Sequence, residues 1–102
     1  MKRSPRYGFE GRELRAASRC VASGDLEHAE ASVISAAIGL RLGLGLHCDE
    51  VRFPKVTGDA RTLLRRARSE LRSRHIMRAL RATSAALDVI DAQTKVRRRR
   101  AA

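Results

Sequence analysis

Residues 23–46 read SGDLEHAEASVISAAIGLRLGLGL, and the second half of this stretch carries a single charged residue, Arg41. Its apolar side chains recur every three or four residues, which predicts a helix with a broad buried face. Asp25 stands where a helix N-cap is expected, and the acidic first turn suits the positive end of the helix dipole. The apolar positions are Leu26, Ala29, Val33, Ala36, Ala37, Leu40 and Leu44, with Ile34 and Ile38 beside them. We therefore predict a central helix over residues 25–44.

The end of the same stretch also fits a strand. From Ile38 onward leucine alternates with glycine or arginine, and a period of two is typical of a half-buried strand. Residues 51–53, Val-Arg-Phe, could return as a second strand, so a β-hairpin at residues 40–56 is the alternative, giving an α+β fold. The helical interpretation has a use for Gly39 and Gly43, whose spacing lets a partner helix approach closely.

The remaining segments predict three more helices. Apolar periodicity indicates helices over residues 10–22, 59–72 and 75–93, with a change of hydrophobic phase near Ser73 that predicts a turn. If the chain were instead helical through Ser73, the two halves would need different partners and a homodimer would follow. We predict an all-α bundle of four helices.

The ends of the chain differ from this bundle. Residues 1–9 combine proline, glycine and basic residues and predict a flexible basic arm. The bundle domain is expected to occupy residues 10–94. The last eight residues, 95–102, are rich in arginine and have no apolar periodicity, so we predict a disordered tail there.

Composition limits the fold and the setting of the protein. With 102 residues, of which 3% are aromatic, the chain is expected to form one domain with a small aliphatic core. No stretch is apolar and long enough to predict a transmembrane segment. Two cysteines are too few for a disulfide framework, which favours a reduced, cytoplasmic setting, or a nuclear one in a eukaryote.

The junction ASGDLEHAEA, residues 22–31, resembles the turn and second helix of a tetratricopeptide unit. Gly24-Asp25 is also echoed by Gly58-Asp59, at the repeat length of that family. The bulky residues that the family has in its first helix are not present here. The resemblance implies a helical hairpin at this junction and does not extend to family membership.

The net charge of +11 is concentrated in the second half of the chain. Residues 1–54 contain eight basic and seven acidic side chains, whereas residues 55–102 contain fourteen basic and four acidic ones. Such asymmetry predicts a polyanionic partner. We expect a small non-enzymatic protein that binds nucleic acid, RNA or DNA, or a ribonucleoprotein. The alternative is an interaction module or phage-type inhibitor that docks on an acidic surface of a larger nucleic-acid-handling machine.

The residues expected to bind the polyanion are arginines at helical spacing and in the tail. Arginine forks bind phosphate through two parallel hydrogen bonds, and a row of them matches a phosphate backbone. Aromatic residues do not interleave with them, so stacking on single-stranded bases is not predicted. The candidates are Arg61, Arg65, Arg68, Arg72, Arg74, Arg78, Arg81, Arg97, Arg98, Arg99 and Arg100.

No set of residues predicts catalysis, a metal site or a cofactor. The segment at residues 47–50, HCDE, offers ligand types without a metal-binding spacing, and we interpret it as a polar loop. Six residues separate Arg68 from His75, which resembles the Arg-x4–6-His pattern of the HEPN ribonucleases. That resemblance implies an RNase with Arg68 and His75 as the catalytic pair, as a lesser alternative to a non-enzymatic function.

Overall fold

A computed structural model of the chain describes residues 7–46 and 56–101. Within these two ranges the chain forms four α-helices and no strand. The helices are α1 (Gly8–Ser23), α2 (Leu26–Gly43), α3 (Ala60–Arg72) and α4 (Ile76–Ala101). The predicted all-α bundle of four helices is confirmed.

The bundle consists of two helical hairpins packed face to face. α1 packs on α2 to form the N-terminal hairpin, residues 8–43, and α3 packs on α4 to form the C-terminal hairpin, residues 60–101. The hairpins are joined by contacts of α2 with α4 and of α1 with α3. Each helix therefore has two neighbours, and its core-facing stripe is shared between them.

The core is built from leucine, isoleucine, valine and alanine. Its largest fully buried aliphatic side chains are Leu14, Val33, Leu40, Leu63, Leu64, Leu80 and Ile90. Two buried threonines, Thr83 and Thr94, donate their hydroxyls to the carbonyls four residues earlier, over 2.7 and 2.9 Å. Thr83 and Thr94 are the only polar residues of the described chain that are buried as whole residues, and these bonds satisfy their hydroxyls. Small alanines between the leucines allow the helices to pack closely.

Two glycines of α2 mark the place where α1 approaches most closely. A Cβ added at Gly43 would lie 2.6 Å from the ring of Tyr7, and one added at Gly39 would meet the carboxyl group of Glu10. The helical use of these glycines is thereby confirmed, with α1 as the partner helix. The alternative strand is wrong for residues 40–43, which are helical; residues 47–55 of that hairpin lie outside the described residues.

α2 ends in a Schellman motif that explains the last glycine of the alternating run. Gly45 has φ +73°, and its N–H donates to the carbonyl of Leu42. The N–H of Leu46 donates to the carbonyl of Arg41 over 2.9 Å. This pair of bonds requires a left-handed residue, which glycine adopts without steric cost.

α4 is longer than the sequence predicts. It continues to Ala101, so the expected disorder of residues 95–102 is wrong for residues 95–101. Three contacts hold this extension: Thr94 is buried, Lys95 pairs with Asp91 at 3.0 Å, and Arg97 donates to the carbonyl of Gly24 over 2.9 Å. Arginine is also a strong helix former, so helix propensity favours the extension. At the other end of the chain α1 begins at Gly8, within the predicted arm, and residues 1–6 lie outside the described residues.

Candidate nucleic-acid interface

The two hairpins carry very different charges. The described N-terminal part, residues 7–46, contains four arginines and five carboxylates. The described C-terminal part, residues 56–101, contains thirteen basic and four acidic side chains. Most of the basic side chains of the described residues therefore belong to α3, α4 and the turn between them.

The first group of candidates forms a row along one flank of α3. Its exposed members are Arg61, Arg65 and Arg72, and Arg68 is half-buried among them. The spacing of four, three and four residues keeps all four on one flank, beside the buried stripe of the helix. The row spans about 16 Å, at a rise of about 1.5 Å per residue.

The second group surrounds a shallow cleft between α3 and α4. Arg66, Arg78 and Arg81 line this cleft together with Glu70. Glu70 lies on the flank of α3 opposite to the row that begins at Arg61, and its Oε2 is 4.0 Å from Arg78 and 3.3 Å from Nδ1 of His75. Arg78 and Arg81 are thus brought together as candidates. They share their surroundings with a carboxylate, which lowers the local positive potential.

The third group, Arg97 to Arg100, projects from the last turns of α4 in four directions, because successive residues of a helix are about 100° apart. Arg97 and Arg100 face a groove that they share with Arg61. Arg98 lines a smaller hollow with Asp25 and Glu27. Arg99 is exposed. The tail therefore does not act as one unit, and Arg61 and Arg100 are the side chains that connect it to the row on α3.

The groove has a volume of about 610 Å³ and lies where α4 runs past the turn between α1 and α2. Apolar side chains line much of it, including Val21, Leu26 and Val96. Its rim carries three arginines against one carboxylate, Asp59. An anionic group that reaches this rim can be bound by guanidinium groups from both α3 and α4.

Asp59 is the acidic residue closest in sequence to the row on α3, and it serves as the N-cap of that helix. Its Oδ1 accepts the backbone N–H of Thr62 over 2.7 Å. This bond, with a further one from the Thr62 side chain, holds the pKa of Asp59 below its usual value, and the charges of Arg61 and Arg65 lower it further. Asp59 is therefore ionised at neutral pH and serves α3 as an anionic cap.

The turn between α3 and α4 carries the candidate farthest from the groove. Arg74 has φ +64° and is the only non-glycine residue with a positive φ in the described part of the chain. It lines a hollow with Arg72 and with Tyr7 and Gly11 near the start of α1. A left-handed arginine places its charge at this corner of the bundle at some cost in backbone strain.

The pair expected from the ribonuclease resemblance is not brought together. Arg68 lies on one flank of α3, whereas His75 contacts Glu70, which lies on the other flank. In residues 7–46 and 56–101 no three His, Cys, Asp or Glu side chains are close enough to hold a metal ion. The HCDE segment, residues 47–50, lies outside this part of the chain.

The chain was compared with protein-family models, with curated proteins and with solved structures, and none of them matches. Among the described helices, none has the length and apolar character needed to cross a membrane.

Sequence analysis missed one member of this surface, Arg66. It is exposed and belongs to the cleft with Arg78 and Arg81. The signal was present, because Arg66 and Glu70 are four residues apart and so share a flank of α3. Arg66 lies outside the regular row that begins at Arg61, because that row follows the other flank of α3.

Proposed function

We propose that this protein binds nucleic acid without catalysis, through the arginines of the C-terminal hairpin. The observation that carries the proposal is the concentration of thirteen basic side chains, against four acidic ones, in the C-terminal part of the described chain. The row of Arg61, Arg65, Arg68 and Arg72 lies on the flank of α3 opposite to Glu70, and in the described part of the chain the carboxylate that interacts with it is the Asp59 cap, through Arg61 and Arg65. Regularly spaced guanidinium groups fit a chain of phosphates better than the scattered carboxylates of a protein surface.

The chemistry of this surface favours a duplex or a structured RNA over a single strand. Binding to single strands relies on aromatic side chains on which bases stack. The aromatic residues that the structure describes, Tyr7 and Phe9, both lie at the start of α1. Arginine contacts to phosphate carry no sequence information by themselves, so we propose binding without strong sequence preference.

The proposal is tested by replacing Arg61, Arg65, Arg68 and Arg72 together with glutamine. These side chains lie outside the buried stripe of α3, so the fold should persist, as circular dichroism would show. Affinity for a duplex should fall, and the slope of log affinity against log salt should become shallower by about 0.9 for each phosphate that the variant no longer neutralises. Fluorescence anisotropy with a labelled duplex at several salt concentrations measures both quantities.

The matched control replaces Arg12, Arg15 and Arg19, the arginines of α1, with glutamine. This variant also loses positive charge, but from the hairpin whose charges are nearly balanced. It should bind with an unchanged slope apart from a small effect of net charge. The proposal is wrong if the parent protein shows no salt-dependent binding to any nucleic acid, or if both variants change the slope equally. In the first case, docking on an acidic protein surface becomes the better account.

A further inference from the structure

The outer face of α2 carries a ridge of large apolar side chains that nothing in the described structure covers. Ile34 is 39% exposed, Ile38 is 51% exposed and Leu42 is 63% exposed. They lie four residues apart and therefore follow one line along the helix, on the side away from the core. We call Ile34, Ile38 and Leu42 the α2 ridge.

The surroundings of the α2 ridge suit close packing against another helix. Ala31 and Ser35 lie beside the isoleucines, three residues before each, and their small side chains leave a shallow groove along one side of the ridge. Phe9, which is 49% exposed, lies near the Leu42 end, because its neighbours Tyr7 and Glu10 pack against Gly43 and Gly39. A ridge of residues spaced by four packs into the matching groove of another helix in the commonest class of helix contact.

The charge pattern of the N-terminal hairpin allows a second copy of this chain to occupy this face. The net charge of +11 makes two copies repel each other at most relative orientations. The N-terminal hairpin is the exception, since its four arginines and five carboxylates nearly cancel. The copies can therefore approach by this face, where each presents an apolar ridge. We propose that the protein forms a two-fold symmetric homodimer through the α2 ridge.

The charges of α2 also set the direction of the two helices. Its first turns carry Glu27 and Glu30, and its last turn carries Arg41. In an antiparallel pair the acidic end of each α2 faces the Arg41 end of the other, whereas a parallel pair would bring the acidic ends together. A two-fold axis near residues 34–38 gives the antiparallel pairing and centres the isoleucines.

The dimer also determines where the two arginine surfaces lie, and the meaning of this placement rests on the proposed function. α3 and α4 pack on the core side of the N-terminal hairpin, opposite to the α2 ridge. Dimerisation through the ridge thus places the two arginine surfaces on opposite outer sides of the assembly. Such a dimer can contact two duplex segments at once, and each contact raises the effective concentration of the second.

The dimer is tested without any nucleic acid, so its failure is separate from a failure of the proposed function. Sedimentation equilibrium or light scattering on the full chain should give twice the monomer mass at high protein concentration. Added salt should strengthen the association, because it screens the repulsion between two basic copies. The opposite salt dependence is expected for nucleic-acid binding. A monomer at every concentration and salt level overturns the proposal.

Two substitutions at positions of similar exposure provide the matched comparison. Ile38→Glu places a charge at the centre of the α2 ridge and should raise the dissociation constant of the dimer at least about tenfold. Val96→Glu introduces the same side chain at a position that is 48% exposed on α4, and it should leave the dimer unchanged. Circular dichroism verifies that both variants keep the parent helix content. If Ile38→Glu dimerises like the parent, or Val96→Glu dissociates equally, the α2 ridge is not the interface.

A third variant tests the direction of the helices. Glu27→Ala removes an attraction in the antiparallel dimer and should raise its dissociation constant a few-fold at low salt. In a parallel dimer the same change removes a repulsion and would tighten the association. Tighter binding by the alanine variant would therefore contradict the antiparallel arrangement.

Discussion

Gly24 and Arg74 occupy the same place in the two hairpins. Each follows the first helix of its hairpin and has a positive φ, +82° for Gly24 and +64° for Arg74. Around each residue the two bonds of a Schellman motif form, with the N–H of Asp25 donating to Cys20 and that of His75 donating to Glu70. The same turn is thus made once with the residue that suits it and once with an arginine.

The two hairpins therefore share the same backbone turn but differ in the side chains that they expose. In the N-terminal hairpin the turn residue is chosen for conformation, and the exposed face of α2 is apolar. In the C-terminal hairpin a left-handed position is filled by arginine, among many other arginines. Strained positions are retained where a side chain has a use. We infer that the C-terminal hairpin keeps a positive charge at Arg74 although the backbone is strained there.

The largest effect should come from the core that both hairpins share. Leu40 of α2 and Leu80 of α4 are both fully buried, and truncation of either to alanine should lower the free energy of unfolding by about 2–5 kcal/mol. Thermal unfolding should remain a single transition in both variants, because neither hairpin can bury its apolar face alone. Two separate transitions in either variant would mean that one hairpin folds independently.

A smaller effect is expected where α1 meets α2. Gly39→Ala should destabilise the bundle by about 1 kcal/mol, because the new methyl group would lie 2.7 Å from Cγ of Glu10 and the Glu10 side chain must move away from α2. Gly11→Ala is the control, since its added Cβ would be 3.7 Å from Leu71 and make an ordinary contact. The control should gain up to about 1 kcal/mol from helix propensity. Urea denaturation measures both, and equal stabilities would mean that the close approach is unimportant.

The two turns should respond in opposite directions to an exchange of their residues. Gly24→Arg should destabilise the protein by about 1 kcal/mol, because a side chain is disfavoured in the left-handed region. Arg74→Gly should stabilise it by up to about 1 kcal/mol for the same reason. Melting temperatures of the two single variants provide the comparison. A destabilised Arg74→Gly would show that contacts of the arginine side chain outweigh its backbone strain.

The smallest effect concerns the cap of α3 and appears as a pH dependence. The pKa of Asp59 is lower in the folded protein than its usual value of 3.8, because of the bonds from Thr62. Its charge therefore contributes stability that is fully present above that value and is lost as the pH falls through the folded pKa. Asp59→Asn keeps a capping oxygen without the charge. The parent should melt at a higher temperature than this variant at neutral pH, and the gap should close as the pH falls through the lowered pKa of the folded state. A gap independent of pH would contradict the electrostatic part of the cap.

The elements of the fold were readable from the sequence, because apolar periodicity follows burial closely. The predicted and observed bounds of α1, α2 and α3 differ by one or two residues. α4 was predicted to end at residue 93 and extends to Ala101. The contact that holds its end joins Arg97 to Gly24, 73 residues earlier, and no local pattern reveals such a pairing.

The echo between Gly24-Asp25 and Gly58-Asp59 shows how a local signal can mislead about architecture. Asp25 and Asp59 both cap helices, accepting the N–H three residues later from His28 and from Thr62. The capped helices are the second of one hairpin and the first of the other. The equivalent turns are those at Gly24 and Arg74, so a spacing of 34 residues does not define a structural repeat. The candidate arginines other than Arg66 could be named from the sequence, and their role stays a prediction, whereas their division into a row, a cleft and a groove depends on how α3 and α4 pack.

The central claim is that nucleic acid binds the C-terminal hairpin and leaves the N-terminal hairpin untouched. An amide NMR titration of the labelled protein with a short duplex tests this claim most directly, because it reports every helix in one experiment. Resonances of residues 60–72 and of the last two turns of α4 should shift in proportion to added duplex, while those of residues 12–19 and 30–42 stay in place. Shifts centred on α1 and α2, or no shifts at low salt, would contradict the account.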